Sequence, residues 1–171
     1  MSITLYLNTD GVLHPRTVTF ENGHTPCLRC PGHKLFENAE HLDRLLLAYP
    51  DMRIVLHSWW PLVVGYKHAV HCMPPLIRSR VIGSTVPGNR LHTLHSKSLS
   101  SRREWLRRDL RRRMPPYPVV LDSDWAQVLP ETAEVSLIVT GGNGIADPMV
   151  LDRLARLLCA ADSTGVTYSP L

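Results

Sequence analysis

Four short runs of apolar, largely β-branched residues punctuate the chain: Ile3 to Leu7, Met52 to Leu56, Tyr117 to Leu121 and Val135 to Val139, with a weaker fifth at Val81-Ile82. Their near-continuous hydrophobicity predicts strands buried on both faces. Between them the apolar positions fall at helical spacing. Leu42, Leu45 and Leu46 mark a helix over Glu37 to Tyr49, and Leu99, Leu106 and Leu110 mark one over Leu99 to Met114. Val150, Leu151, Leu154 and Leu158 mark a third over Pro148 to Ala160, with Asp147 as its N-cap and Pro148 in its first turn. Parallel strands need crossovers, and helical crossovers cover the sheet. The alternation therefore predicts one doubly wound, Rossmann-like α/β domain over residues 1–171, with helices on both faces.

A polar cluster follows each strand: Asn8-Thr9-Asp10-Gly11, His57-Ser58-Trp59-Trp60, Asp122-Ser123-Asp124 and Thr140-Gly141-Gly142-Asn143-Gly144. In an open α/β sheet the ligand crevice lies outside the carboxyl ends of the strands, so clusters in this phase converge on one pocket.

Composition narrows the picture further. At 171 residues with 44% hydrophobic and 20% charged residues, the chain can bury a sizeable core, which excludes a disordered protein. Fourteen prolines and ten glycines are spread as punctuation, without the repeats of a solenoid or collagen. No stretch approaches eighteen apolar residues and the amino terminus lacks a basic n-region, so the expectation is a cytoplasmic protein without a membrane partner. The net charge of +4 permits an anionic partner without requiring one. Cys27, Cys30, Cys72 and Cys159 are expected as free thiols or metal ligands rather than disulfides.

The run Leu5-Tyr6-Leu7-Asn8-Thr9-Asp10-Gly11-Val12-Leu13-His14-Pro15 resembles the opening motif of haloacid dehalogenase (HAD) superfamily phosphatases, an apolar strand ending in Asp-x-Asp-Gly. It is most similar to the small, uncapped bacterial group related to the HAD domain of Swiss army knife RNA repair proteins. The resemblance continues through Pro31 to Glu37, Tyr49 to Leu56, Arg80 to Thr85, Leu121 to Asp124 and Gly144 to Asp147. It implies a HAD-type fold with no separate cap domain. It also implies a mechanism in which the first aspartate attacks phosphorus and the second is the general acid/base. A Ser/Thr after the second strand and a Lys/Arg hold the phosphoryl group, and an acidic pair after a later strand helps hold Mg²⁺.

Carried onto this chain, the nucleophile position is Asn8 and the acid/base position is Asp10; the acidic pair is Asp122 followed by Ser123, with Asp124 beyond. Ser58 stands near the phosphate-binding hydroxyl position, where His57 has entered, and Lys97 or Arg102 falls where the cation belongs. An amide offers no anionic oxygen for covalent catalysis. Asn8 and Ser123 also remove two negative charges from the place of a hard cation. These departures favour a catalytically disabled member, a pseudoenzyme with a regulatory or adaptor role that binds a protein or nucleic acid. The alternative is a Mg²⁺-dependent phosphohydrolase in which Asn8 is an engineered or recent replacement of the nucleophile. No cofactor is expected, with Mg²⁺ entering only alongside residual activity.

Five further features carry a bland and a functional reading. Cys27 and Cys30, with His24 and His33 nearby, have spacing that suits zinc, but an ordinary loop with two half-buried thiols is the preferred reading. From Lys97 to Met114 there are eight basic residues and two acids; Arg107, Arg108, Arg111 and Arg112 are expected on the outer face, either as a solvated, dipole-matched helix or as a docking strip. Trp59, Trp60 and Trp125 follow strands and are placed near the crevice mouth, as packing or as a stacking surface. The histidines, including His68, His71, His92 and His95, are expected at the surface, except His57, which is expected beside Asn8 filling the vacated phosphate pocket. The glycine-rich run Gly141 to Gly144 reads as a strand-to-helix turn.

Overall fold

The computed structural model describes residues 2–87 and 101–164. Five parallel strands form one sheet in the order β5-β4-β1-β6-β7. They are β1 (Ile3–Leu7), β4 (Arg53–Leu56), β5 (Val81–Ser84), β6 (Tyr117–Asp122) and β7 (Ser136–Ile138). All five residues of β1 are buried, as befits the central strand. It pairs Leu7 with Leu56 on one side and with Leu121 on the other. From β1 the chain builds outward through β4 and β5, then returns to lay β6 and β7 on the opposite side. The direction of winding therefore reverses between β1 and β6, the position at which such sheets open a crevice.

The larger core cluster gathers Leu42 and Leu46 from α1 (Ala39–Ala48), Ala69 from α3 (Tyr66–Cys72), Ile77 from α4 (Pro75–Arg80), and Leu154 and Leu158 from α6 (Pro148–Thr164). A smaller cluster packs Leu106 and Leu110 of α5 (Arg102–Arg113) against Tyr6, Val55 and Val120. The expected doubly wound α/β arrangement is thus present. Ser101 caps α5 by accepting the Glu104 amide at 3.3 Å, and three arginines in the last turn complement its dipole. Asp147 accepts the Met149 amide at 2.8 Å in the first turn of α6, as its N-cap position requires. Among the described residues, no helix is long and apolar enough to cross a membrane.

Two regions depart from the pattern read in the sequence. Residues expected as an ordinary loop include a hairpin, β2 (Val18–Glu21) and β3 (Thr25–Leu28), with Cys27 inside a strand. The unread signal is Asn22-Gly23: both residues take positive φ, 49° and 74°, at the centre of a tight turn closed by the His24 amide donating to the Glu21 carbonyl at 3.0 Å. Cys27 and Cys30 are half-buried free thiols, while the His24 carbonyl accepts from His68 and His33 bonds Glu37. Among the described residues, no three of His, Cys, Asp and Glu converge as metal ligands. The second departure is the connection from β4 to β5, which holds α2 (Trp60–Val63), α3 and α4. Pro61, Pro74 and Pro75 cut it into segments too short for helical periodicity to show.

Leu56→Ala, at a fully buried position beside β1, is expected to cost about 2–5 kcal/mol in urea unfolding. Met149→Ala, at a position 81% exposed, should change stability by less than about 0.5 kcal/mol.

Candidate functional site

The sheet ladder continues one residue past three strands and fixes the floor of the crevice. The Asn8 amide donates to the Leu121 carbonyl at 2.9 Å, the His57 amide to Leu7 at 2.8 Å and the Val139 amide to Asp122 at 2.8 Å. The turn after β1 then folds back, with Leu13 donating to Thr9 and Gly11 to His14. Gly11 has φ +77°, and a Cβ there would stand 2.7 Å from Ser123 Oγ. Only glycine lets the two strand ends meet this closely. Above this floor lies a cleft of about 210 Å³ lined by Asn8, Asp10, Arg16, Trp59, Arg102, Ser123 and Asp124.

Asn8 is 4% exposed, and its side-chain nitrogen faces three oxygens: the Asp10 carbonyl at 2.9 Å, Ser123 Oγ at 3.2 Å and Asp122 Oδ1 at 3.3 Å. The acceptors assign the amide orientation, since its carbonyl turned the same way would meet the Asp122 carboxylate. Asp122 is fully buried beneath it. Arg102 grips both carboxylate oxygens, Nη1 to Oδ2 at 3.1 Å and Nη2 to Oδ1 at 3.0 Å, and Nη1 also donates to the His57 carbonyl at 2.8 Å. The amides of Ser123 and Asp124 add bonds to Oδ1 at 2.7 and 3.0 Å. Burial pushes the Asp122 carboxyl above the usual carboxylate range, opposed by the Arg102 guanidinium and these two amides.

Asp10 is held as firmly. The Trp60 indole N–H donates to its two carboxylate oxygens at 3.0 and 3.2 Å, and His14 Nε2 lies 3.1 Å from Oδ1. His14 Nδ1 accepts the Phe36 amide, which places the proton on Nε2 and makes a neutral imidazole a donor to Asp10.

The other expected site residues separate into those at the crevice and those beneath or beside it. Asp124 lines the cleft but spends its carboxylate on Ala126 and Gln127, and the Gln127 bond, followed by the Ala126 amide and the Arg102 charge, lowers its pKa against a smaller desolvation. Trp59 lines the cleft at 45% exposure and meets Trp105 edge to face, whereas Trp60 is buried. Trp125 is 67% exposed. Ser58 is buried, accepts the Trp60 amide at 3.0 Å and does not line the cleft.

Three expectations need correction. His57 does not fill a pocket: it is fully buried, with Nδ1 3.0 Å from the Thr85 hydroxyl and Nε2 without a hydrogen-bond partner among the described residues, 3.8 Å from Asp122. Its role is inside the wall. His14, grouped with surface histidines, is 1% exposed because it must reach Asp10 from within the turn. The arginines of α5 do not all face outward, for Arg102 points inward to Asp122, and Arg107 is half-buried between Glu104 and Glu131. Arg112 pairs with Asp109 at 2.5 Å, while Arg108 and Arg111 are exposed. Lys97, Leu99, His92 and His95 lie outside the described residues.

Arg16, His14 and Trp60's bond to Asp10 are functional features that pattern reading missed. The inward direction of Arg102 has a signal in the sequence. Arg102, Leu106, Asp109, Leu110 and Arg113 share one helical face, so two of the charges had to be buried with partners.

A parallel sheet wound in two directions from β1, with a polar crevice at the reversal built from Asn8, Asp10 and Asp122, defines a HAD-type α/β domain. The chain belongs to the family described as the HAD domain in Swiss Army Knife RNA repair proteins, whose model matches residues 4–150. No curated protein and no solved structure matches it.

The residues present do not fit the Mg²⁺ that this fold implies. A hard cation needs free oxygen lone pairs and net negative charge. Asp122 Oδ1 already takes four donors, and the guanidinium of Arg102 and the N–H face of Asn8 occupy the approach to it.

Arg102→Met leaves Asp122 buried and unpaired, and is expected to cost about 3–5 kcal/mol in denaturant unfolding. Burial, reinforced by the Arg102 charge, holds the His57 pKa well below its ordinary value. The unfolded chain therefore binds a proton that the folded chain refuses. Stability from this residue is complete above about pH 6.5 and falls as pH drops below it, by up to about 1.4 kcal/mol per pH unit. Melting curves from pH 7.5 to 5 should show that slope flattened in His57→Gln.

Proposed function

We propose that this HAD domain has lost phosphoryl transfer and works by binding RNA. The observation that carries the loss is the Asn8 side chain: where an attacking carboxylate would stand, an amide N–H faces the Asp10 carbonyl, Asp122 and Ser123. It has no anionic oxygen to offer phosphorus, and it acts as a donor to the oxygens around it. Arg102 completes the change. In place of a cation that comes and goes with substrate, the carboxylate at the end of β6 has a permanent cationic neighbour, the Arg102 side chain, held in the fold. The exposed charge of the cleft also disfavours an anionic substrate, since Arg16 stands with Asp10 and Asp124 while Arg102 is committed to Asp122.

The binding role is supported by α5. Arg108 and Arg111 are exposed, three residues apart on one face, and make no ion pair among the described residues; Arg112 beside them is 66% exposed. Such a row suits a phosphate backbone, and the family's name refers to RNA repair proteins.

With p-nitrophenyl phosphate and 10 mM Mg²⁺, the protein should show no turnover above the protein-free rate; enzymic turnover overturns the loss of catalysis. Its melting temperature should be insensitive to Mg²⁺, whereas Asn8→Asp, which sets a carboxylate against Asp122, should melt lower and be partly rescued by the metal. Single-stranded RNA should bind with an affinity that falls steeply between 50 and 200 mM salt and drops when Arg108 and Arg111 are replaced by Gln. Salt-insensitive binding, or none, sinks the RNA reading.

A further inference from the structure

A second cleft opens between the α2–α3 connection, the edge strand β5 and the carboxyl end of α5. It holds about 420 Å³ and is lined by Pro61, Gly65, Tyr66, Lys67, Ile82, Gly83, Ser84, Val86, Pro87, Arg112 and Arg113. It shares no lining residue with the strand-end crevice. Three cations face it, and no carboxylate is among the described residues that line it.

These cations are set in place by buried structure. Asp109, 3% exposed, lies on the inner face of α5 and accepts the Tyr6 hydroxyl of the central strand at 3.2 Å. Burial, then the Asp109 charge, raises the Tyr6 pKa, so the phenol stays a donor. Asp109 in turn takes Arg112 at 2.5 Å and Arg113 at 2.7 Å. One buried carboxylate thus aims two guanidinium groups at one opening. Gly83 completes the seat: a Cβ there would stand 2.2 Å from Arg113 Nη2, so the missing side chain lets the guanidinium lie across the edge strand. Lys67 approaches from α3 and makes no hydrogen bond or ion pair among the described residues. Asp109 neutralises one charge of three, which leaves the cleft with a surplus of two.

We propose that this cleft binds a phosphate monoester, with the dianionic group between Lys67, Arg112 and Arg113 and the organic part against Tyr66, Ile82 and Val86. A surplus of two positive charges matches a dianion better than a carboxylate, and planar guanidinium forks match its tetrahedral oxygens. The apolar half and the volume suit a molecule the size of a mononucleotide. The site stands whether or not the strand-end crevice retains chemistry. A free mononucleotide and the phosphorylated end of a strand present the same group.

Calorimetric titration of the full chain with adenosine 5′-monophosphate, adenosine and a 5′-phosphorylated trinucleotide tests the assignment. Adenosine monophosphate should bind and adenosine should not; a trinucleotide binding more tightly than the monophosphate identifies a strand end as the source, and weaker binding identifies the free nucleotide. Lys67→Gln, at an exposed position, should weaken binding about tenfold with the melting temperature unchanged, and Gly83→Ala, which displaces Arg113, should weaken it by a similar factor. Neither touches Arg108 or Arg111, so a failure here is separable from a failure of RNA binding along α5. Arg16→Gln, in the other cleft, should have no effect. No binding at millimolar monophosphate, adenosine binding as well as its phosphate, or sensitivity to Arg16→Gln alone would overturn the proposal.

Discussion

The buried pair between Arg102 and Asp122 organises this end of the molecule. Taking two full charges out of water costs several kcal/mol per ion, and the pair is tolerable only because nearly every lone pair and N–H has a partner. Two fork bonds, the His57 carbonyl, two backbone amides and the Asn8 side chain supply them. The pair ties the start of α5 to the end of β6, the strand that lies across the winding reversal from β4. It also sets the electrostatics of the crevice, because the strongest cation and the deepest carboxylate cancel each other and leave Asp10, Asp124 and Arg16 to face solvent. The same guanidinium charge works with burial to keep His57 neutral.

Asn8 makes sense in that setting. An amide is nearly the size and shape of a carboxylate but presents N–H where the acid would present a second anionic oxygen. Facing the Asp10 carbonyl and Asp122, those N–H groups are attractive where an anion would be repelled. The amide at position 8 and the arginine that satisfies the buried acid are therefore one electrostatic solution seen from two sides. Asp10 follows the same logic, with an indole and a neutral imidazole supplying donors without adding charge.

The parts of this arrangement that follow from local periodicity were legible in the sequence. Strands β1, β4, β6 and β7 each announce themselves as an apolar run, and the polar residues next in line, Asn8, Asp10, Asp122 and Asp124, arrive at one place for that reason alone. What depends on tertiary partners was not. Nothing local distinguishes buried His14 from an exposed histidine, because its burial is decided by Phe36 and Trp60, distant in sequence. His57 reads as a ligand by position, yet its ring turns to Thr85, the residue just past the end of β5. The β2–β3 hairpin was hidden for a different reason: its strands are only four residues long and half exposed, so the turn residues carry the signal and the hydrophobic pattern does not.

That hairpin is bound to the rest of the domain by aromatic packing. Phe20 meets the Trp60 ring edge to face at 5.1 Å, and Trp60 is the indole that holds Asp10. Two strands alone have little stability of their own, so the hairpin keeps its place largely through what its inner residues grip. The exposed ribbon and the carboxylate of Asp10 are therefore joined by a chain of two contacts, Phe20 on Trp60 and Trp60 on Asp10, that lies outside the hydrogen-bonded ladder of the main sheet.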